Sequence, residues 1–153
     1  MLEINTVNDV IEFLNITSCE VTQMKSYVPD IRYGKVIKVY DGDTITIATT
    51  LYNGDVCPKI DLYKFNVRIL GIDTPELKTK NVVEHELGVV ARDALKELII
   101  NKVVRLENVS YDKYGRILCD LYLDDINISE WLISKNYAVR YNGGTKEKKW
   151  GSN

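Results

Sequence analysis

The chain has little with which to build covalent or metal cross-links: three cysteines, Cys19, Cys57 and Cys119, and one histidine, His85, in 153 residues. An odd number of widely spaced cysteines forms neither a disulfide framework nor a zinc pattern, so they read as free thiols of a reducing compartment. No apolar run approaches the ~20 residues of a membrane helix, which excludes a helical span as the chain's anchor. The start, Met1-Leu2-Glu3-Ile4-Asn5, lacks the basic opening and apolar stretch of a signal peptide, and an intracellular location is expected. With that expectation, the sequons at Asn15, Asn108 and Asn127 read as chance matches. Three prolines, nine glycines and 45% apolar residues argue against a disordered or low-complexity chain. Positive charge is not in excess either. The count is 20 Lys+Arg against 22 Asp+Glu, a formal net charge of −2, which argues against a simple polybasic coat for nucleic acid.

What is present is unevenly arranged. Residues 1–33 carry Glu3, Asp9, Glu12, Glu20 and Asp30 against only Lys25 and Arg32, and the remainder is nearly neutral. Within that segment Val7, Val10, Ile11 and Leu14 recur at helical spacing after a capping Asn5 or Thr6, so a short helix packed on the main domain is expected. From Tyr33 the period becomes two. Val36–Tyr40, Asp41-Gly42 and Asp43–Ile47 read as strand, tight turn and strand. Residues 49–64 read as a loop or hairpin tip, and Phe65–Leu70 alternates again. Val82–Ile100 predicts the longest helix, with Leu87, Val90, Ala91, Ala94, Leu95 and Leu98 as its apolar stripe. Val103–Leu106 and Ile117–Leu123 predict two further strands, the second burying Cys119 as a structural thiol. A second helix starts at Asn127, with Glu130 at capping-box spacing, and ends near Asn136. Five short strands and two interleaved helices predict an α+β fold: a five-stranded OB-type β-barrel with packed helices and a short N-terminal helical extension. The extension is residues 1–32 and the barrel domain residues 33–153.

The chemistry is expected where polar residues interrupt apolar patterns at the ends of these elements. Asp43 follows a tight turn, and Asp73, Thr74 and Glu76 follow a strand. Pro75 biases Thr74 toward extended backbone, which can turn its carbonyl oxygen out of the ladder. Two carboxylates and a peptide oxygen are hard ligands suited to Ca²⁺, although aspartates beside turns also bond backbone amides without any metal. Arg68 lies on the less apolar face of its strand and Arg116 follows a glycine at the start of another. Two planar, permanently charged guanidinium groups suit a phosphodiester clamp, and they can also pair structurally with the same aspartates. His85 reads as a solvated residue at a helix start. Lys146, Lys148 and Lys149 read as an ordinary solvated segment or a weak nucleic-acid patch.

The runs Tyr40-Asp41-Gly42-Asp43-Thr44, Val67-Arg68-Ile69-Leu70-Gly71-Ile72-Asp73-Thr74-Pro75-Glu76 and Asp112-Lys113-Tyr114-Gly115-Arg116 resemble the three motifs of the staphylococcal nuclease (thermonuclease) family. They stand in the family's order, within about residues 33–141. The resemblance implies an OB-type barrel and a Ca²⁺-dependent phosphodiesterase acting on DNA and RNA, which cleaves the P–O5′ bond and leaves 3′-phosphate ends. It implies that Asp43 and Asp73 are Ca²⁺ ligands, with Thr74 adding its carbonyl oxygen. Glu76 matches the general-base carboxylate. Arg68 and Arg116 match the pair that stabilises the phosphoryl transition state, Arg116 also favouring departure of the leaving oxygen. Lys113 and Tyr114 match positions near the terminal phosphate of a bound nucleotide, and Tyr141 is placed as a stacking surface for a base. The resemblance implies DNA or RNA as the partner; no membrane association, and action as a monomer, are expected beside it.

The chain departs from the family pattern in four places. The acidic extension has no counterpart, residues 49–64 are long, Leu77–Asn81 is short, and little remains of the C-terminal helix. Packing of the extension on the barrel is the expected compensation. The competing expectation is a non-catalytic OB-type module that binds nucleic acid or protein. Such a module would have lost active-site residues, whereas Asp43, Arg68, Asp73, Glu76 and Arg116 are all present.

Overall fold

Strand formation follows the period-two pattern closely enough that burial alternates along it. A computed structural model describes residues 6–17, 26–52, 61–147 and 150–151. Strand β1 (Tyr33–Val39) turns through Asp41–Asp43 into β2 (Thr44–Thr49), which pairs antiparallel with β3 (Tyr63–Ile69) from Thr44↔Arg68 to Thr49↔Tyr63. Strand β5 (Val103–Tyr111) pairs with β1 and with β6 (Ile117–Leu123). A parallel contact of β3 with β6, from Val67↔Ile117 to Ile69↔Cys119, closes the five strands into a barrel. Closure leaves the main strands without a free ladder, which removes the edge problem of an open sheet.

The barrel interior is filled by the inward set Val36, Ile45, Ile47, Val67, Ile69, Ile117, Cys119 and Leu121, all essentially solvent-free. Each such aliphatic side chain contributes about 1.5–3 kcal/mol on burial. Cys119 is therefore a core residue as expected; Cys19 and Cys57 lie outside the described residues. Close packing also explains Gly34 on β1, where a Cβ would come within 2.7 Å of Ile47 Cδ1. Strand β5 runs five residues beyond the expected Leu106, across a bulge between Glu107 and Ser110 where Asn108 adopts φ 53°.

Three short strands escape the sequence pattern. β4 (Ile72–Asp73) pairs with β8 (Val139–Arg140), and β7 (Ile126–Asn127) extends the edge at β6. Helix α2 (Val82–Ile99) is capped by Asn81, whose side chain accepts from the Glu84 amide. Its buried face is Gly88, Ala91, Leu95 and Ile99, while Leu87 and Val90 are exposed, so the expected stripe is rotated by one position. Gly88 is the physical reason. A Cβ there would lie 2.9 Å from the Pro75 carbonyl oxygen, so the glycine face is the one that can approach the segment after β4. Helix α3 (Ile128–Ser134) starts at Asn127, whose side chain accepts from the Glu130 amide as expected. It buries Ile128 and Leu132, and its Ser129 hydroxyl donates to the Leu70 carbonyl.

Helix α1 (Val7–Ile16) forms in the extension with a complete capping box between Thr6 and Asp9. None of its residues is buried; Val7, Ile11, Leu14 and Ile16 remain exposed. Further along, the Asp30–Tyr52 bridge and Arg32 stacked 4.4 Å over the Tyr52 ring tie the approach to β1 to the chain beyond β2. Among the described residues no helix is long and apolar enough to cross a membrane.

Candidate active site

The β1–β2 turn sets the first wall. Tyr40 donates its amide to the Thr44 carbonyl, and Asp43 donates its own to Asp41 Oδ1 at 3.2 Å, which turns the Asp43 carboxylate inward. The Asp43 carbonyl accepts from the Ile69 amide at 2.8 Å, pinning the turn to the end of β3. Asp43 is only 7% exposed. Its carboxylate takes a hydrogen bond from Thr44 Oγ1 at 3.0 Å and an ion pair from Arg68, the residue opposite Thr44 on β3. Burial pushes the Asp43 carboxyl up to about 6; Arg68 opposes this and neighbouring Asp41 reinforces it. Arg68 also donates to the Ile72 carbonyl at 3.2 Å, which holds its guanidinium between the turn that bears Asp43 and the strand that bears Asp73.

The second wall is the segment after β4. Asp73, Thr74 and Pro75 are buried. Gly42 lies so close to Thr74 that a Cβ would come within 2.9 Å of the threonine Cβ and Cγ2. The residue before Asp43 therefore rests on the residue after Asp73, which sets two sequence-distant aspartates on touching segments. Glu76 is exposed beyond them, its amide donating to Glu84 Oε1 at 3.2 Å. The same Glu84 accepts from Thr79 Oγ1, so the short Leu77–Asn81 segment is tied to the start of α2. His85 is exposed as expected, with Nδ1 2.8 Å from the Leu77 carbonyl oxygen.

The third wall is the β5–β6 turn. Asp112 accepts from the Tyr114 amide at 2.8 Å, the Arg116 amide at 3.0 Å and Arg116 Nε at 2.6 Å. Partial burial opposes ionisation of Asp112, but these hydrogen bonds outweigh it and hold the carboxyl below its ordinary range. Gly115 at φ 78° closes the turn. Arg116 is thereby aimed by its own turn, with Tyr114 standing largely exposed beside it and the guanidinium carbon 5.5 Å from the ring centroid.

Asp43, Arg68, Glu76, Lys113, Tyr114, Arg116 and Tyr141 line one open cleft of about 790 Å³. Asp73 lines an adjoining cleft of about 540 Å³ that shares Tyr141, Asn142, Gly143 and Lys146 with the first. Thr74 is buried and lines neither cleft. Three contributors went unassigned in the sequence. Asp112 stands inside a quoted motif, and its spacing of four from Arg116 was a usable signal. Asp41 orients Asp43 from two residues away. Lys146 is the substantive correction. Neither a solvated lysine nor part of a loose patch, it sits 2.7 Å from Asp73 Oδ1 and 2.8 Å from Glu76 Oε1.

Among the described residues no three or more His, Cys, Asp or Glu side chains converge as a metal cluster. The oxygen donors expected to hold a cation are two buried carboxylates, Asp43 and Asp73, and the peptide oxygen of buried Thr74. That set is all oxygen and anionic, which fits a hard divalent cation completed by water and does not fit a soft one. The Lys146 ammonium on Asp73 and Glu76 shows that a positive charge is already accommodated at this position.

Residues 66–151, more than half of the chain, match a family model described as staphylococcal nuclease homologue. The chain is 34% identical over 106 residues to the thermonuclease of Staphylococcus hyicus, covering 68% of this chain and 56% of that protein. It is 30% identical over 116 residues to Endonuclease Htp3 of Saprolegnia parasitica, covering 71% and 55%. A Methanocaldococcus jannaschii protein described as uncharacterized is 32% identical over 133 residues, covering 71% and 59%. The chain thus spans somewhat over half the length of these relatives.

Proposed function

Because this chain belongs to the staphylococcal nuclease family, we propose that it hydrolyses phosphodiester bonds of DNA or RNA in the 790 Å³ cleft. The observation that carries the reading is the lining of that cleft. Two arginines, Arg68 and Arg116, face it together with Asp43 and Glu76, an arrangement of little use to a core and suited to a phosphodiester. Asp43, Asp73 and the Thr74 carbonyl oxygen are the residues that would hold Ca²⁺. When bound, such a cation supplies neutralisation of phosphoryl charge.

The chain's own groups supply the rest. The Arg68 and Arg116 guanidinium groups each offer paired N–H donors to the phosphoryl oxygens, where negative charge grows as water adds. Both are held before substrate arrives, Arg68 by Asp43 and the Ile72 carbonyl, Arg116 by Asp112. Glu76 accepts the proton of the attacking water, and its exposed position leaves room for that water. Arg116 donates to the departing O5′, so the P–O5′ bond breaks and the phosphate stays on the 3′ side. Lys113 and Tyr114 flank the terminal phosphate, and Tyr141 offers its ring to a base. Residues 33–153 act as the catalytic domain, as a monomer, with 1–32 as an acidic extension.

The test is hydrolysis of denatured DNA with Ca²⁺, repeated with a chelator and with Glu76→Gln. Loss of at least about 100-fold is expected in both, the scale of removing one preorganised transition-state contact. Unchanged hydrolysis in chelator or in the variant overturns the mechanism. No hydrolysis by the wild-type chain with any divalent cation supports the binding module instead.

A further inference from the structure

Lys146 reaches Asp73 across 73 positions of sequence because the chain after β8 is folded back over the cleft. β8 holds its start beside Asp73, through the Asp73↔Val139 pair and the Tyr141 amide bonded to the Gly71 carbonyl at 2.9 Å. Gly143 and Gly144 then adopt φ 93° and 87°, a conformation that L side chains rarely take, and the Tyr141 hydroxyl donates to the Gly144 carbonyl at 2.7 Å. The reversal delivers the Lys146 ammonium to one oxygen of Asp73 and one of Glu76. Beyond it, Trp150 Nε1 lies 3.4 Å from the other Asp73 oxygen. Gly151 packs so tightly on the start of α2 that a Cβ would lie 2.9 Å from Asn81 Oδ1 and from the Glu84 amide nitrogen.

Lys146 donates a charge-assisted hydrogen bond to Glu76 Oε1 and forms a close ion pair with Asp73, whose side chain is only 3% exposed. Partial burial disfavours the charged lysine, but bonding and attraction from Asp73 and Glu76 outweigh it and raise its pKa above the ordinary lysine value. The ammonium thus occupies the carboxylate oxygens that the proposed function assigns to the cation and to the base. At one buried carboxylate oxygen an ammonium and a divalent ion repel each other, so the two compete for it. We infer that residues 141–147 form a strap whose Lys146 ammonium is an internal competitor of the divalent cation at Asp73 and a counter-ion of Glu76, so that cation binding displaces the strap. The inference rests on the Ca²⁺ reading above. Linkage makes the effect reciprocal: whatever the strap takes from cation affinity, the cation takes from strap closure. Displacement also frees Glu76 from its counter-ion and leaves a lysine beside the cleft for a substrate phosphate.

The experiment measures Ca²⁺ affinity by calorimetry for the whole chain, Lys146→Met and Lys113→Met. The last variant removes a positive charge from the same cleft but not from Asp73 or Glu76. Lys146→Met is expected to bind Ca²⁺ roughly tenfold more tightly than wild type, and Lys113→Met much less so. In a Trp131→Phe background Trp150, bonded to Asp73 just beyond the strap, is the sole tryptophan, and its emission should shift as Ca²⁺ saturates the site. Equal or weaker affinity in Lys146→Met overturns the strap and leaves the metal reading standing. The same conclusion follows from Trp150 emission that stays constant through saturation, a readout that needs no variant of Lys146. Absence of Ca²⁺ binding in every form overturns the metal reading and the strap with it.

Discussion

Replacing Arg68 by Met tests the electrostatics of the site through stability alone. The Arg68 and Asp43 side chains are 15% and 10% exposed, so neither charge has much water to fall back on. With Arg68 present, the Asp43 carboxyl already titrates at about 6 because burial disfavours its charge. A raised folded value means that Asp43 favours folding most at low pH and that this contribution is lost as pH rises through 6. Removing Arg68 takes away the attraction that holds the value down to 6, so the variant keeps its proton to higher pH. At pH 5 both proteins carry a neutral Asp43 and differ little through this group. Above pH 6 Asp43 ionises in the wild type, and the variant falls behind by roughly 1.4 kcal/mol per pH unit until its own carboxyl ionises. The loss levels off no higher than the roughly 3–5 kcal/mol seen when one partner of a buried pair is removed. Urea unfolding in chelator at pH 5, 6, 7 and 8 measures it. A difference between variant and wild type that is the same at all four values refutes the reasoning, because it would place the cost in packing and not in the Asp43 charge.

Asp112→Asn keeps the turn's acceptor for amides but weakens the charged bond that aims Arg116; activity should fall about 100-fold, mainly in kcat, with melting nearly unchanged. Gly42→Ala forces a Cβ to within 2.9 Å of Thr74, and overpacking of this kind costs about 1–3 kcal/mol, visible as a lower melting temperature and a weaker response of that temperature to Ca²⁺. The Cys119 thiol is solvent-free and pushed up to about 12 by burial, with Asp120 adding to the effect. Iodoacetamide at pH 8 should therefore leave the Cys119 peptide unmodified until urea unfolds the chain, as peptide mass mapping would show; rapid native labelling would contradict its place in the core.

The barrel was legible wherever a local pattern carries the information. Ile45-Thr46-Ile47 and Ile117–Leu123 alternate because one face is core, and their burial follows that alternation residue by residue. Asn127 could be recognised as a cap because its side chain and the Glu130 amide are three residues apart in any helix start. Patterns failed where a distant surface decides. The buried face of α2 is set by how closely Gly88 meets the Pro75 carbonyl, a contact that helical periodicity does not encode. β4 and β8 are two residues each, too short for a period, and exist only because they pair with one another. Helix α1 shows the converse: its cap and spacing make the helix, but among the described residues none of its apolar side chains is buried.

The same division runs through the site. Which groups could do the chemistry was written in the chain itself, since carboxylates, guanidinium groups and a proline-restricted peptide are properties of residue type, and three short motifs in order hold them. Their charge states and partners belong to the tertiary structure. Burial moved Asp43 toward neutrality, Asp112 was turned onto Arg116, and a lysine that looked like solvated surface was carried onto Asp73 and Glu76. The physical reason is that residue type sets what a group can bind, whereas desolvation and the charges brought beside it set what it does bind. Both of those depend on contacts made only after the barrel has closed.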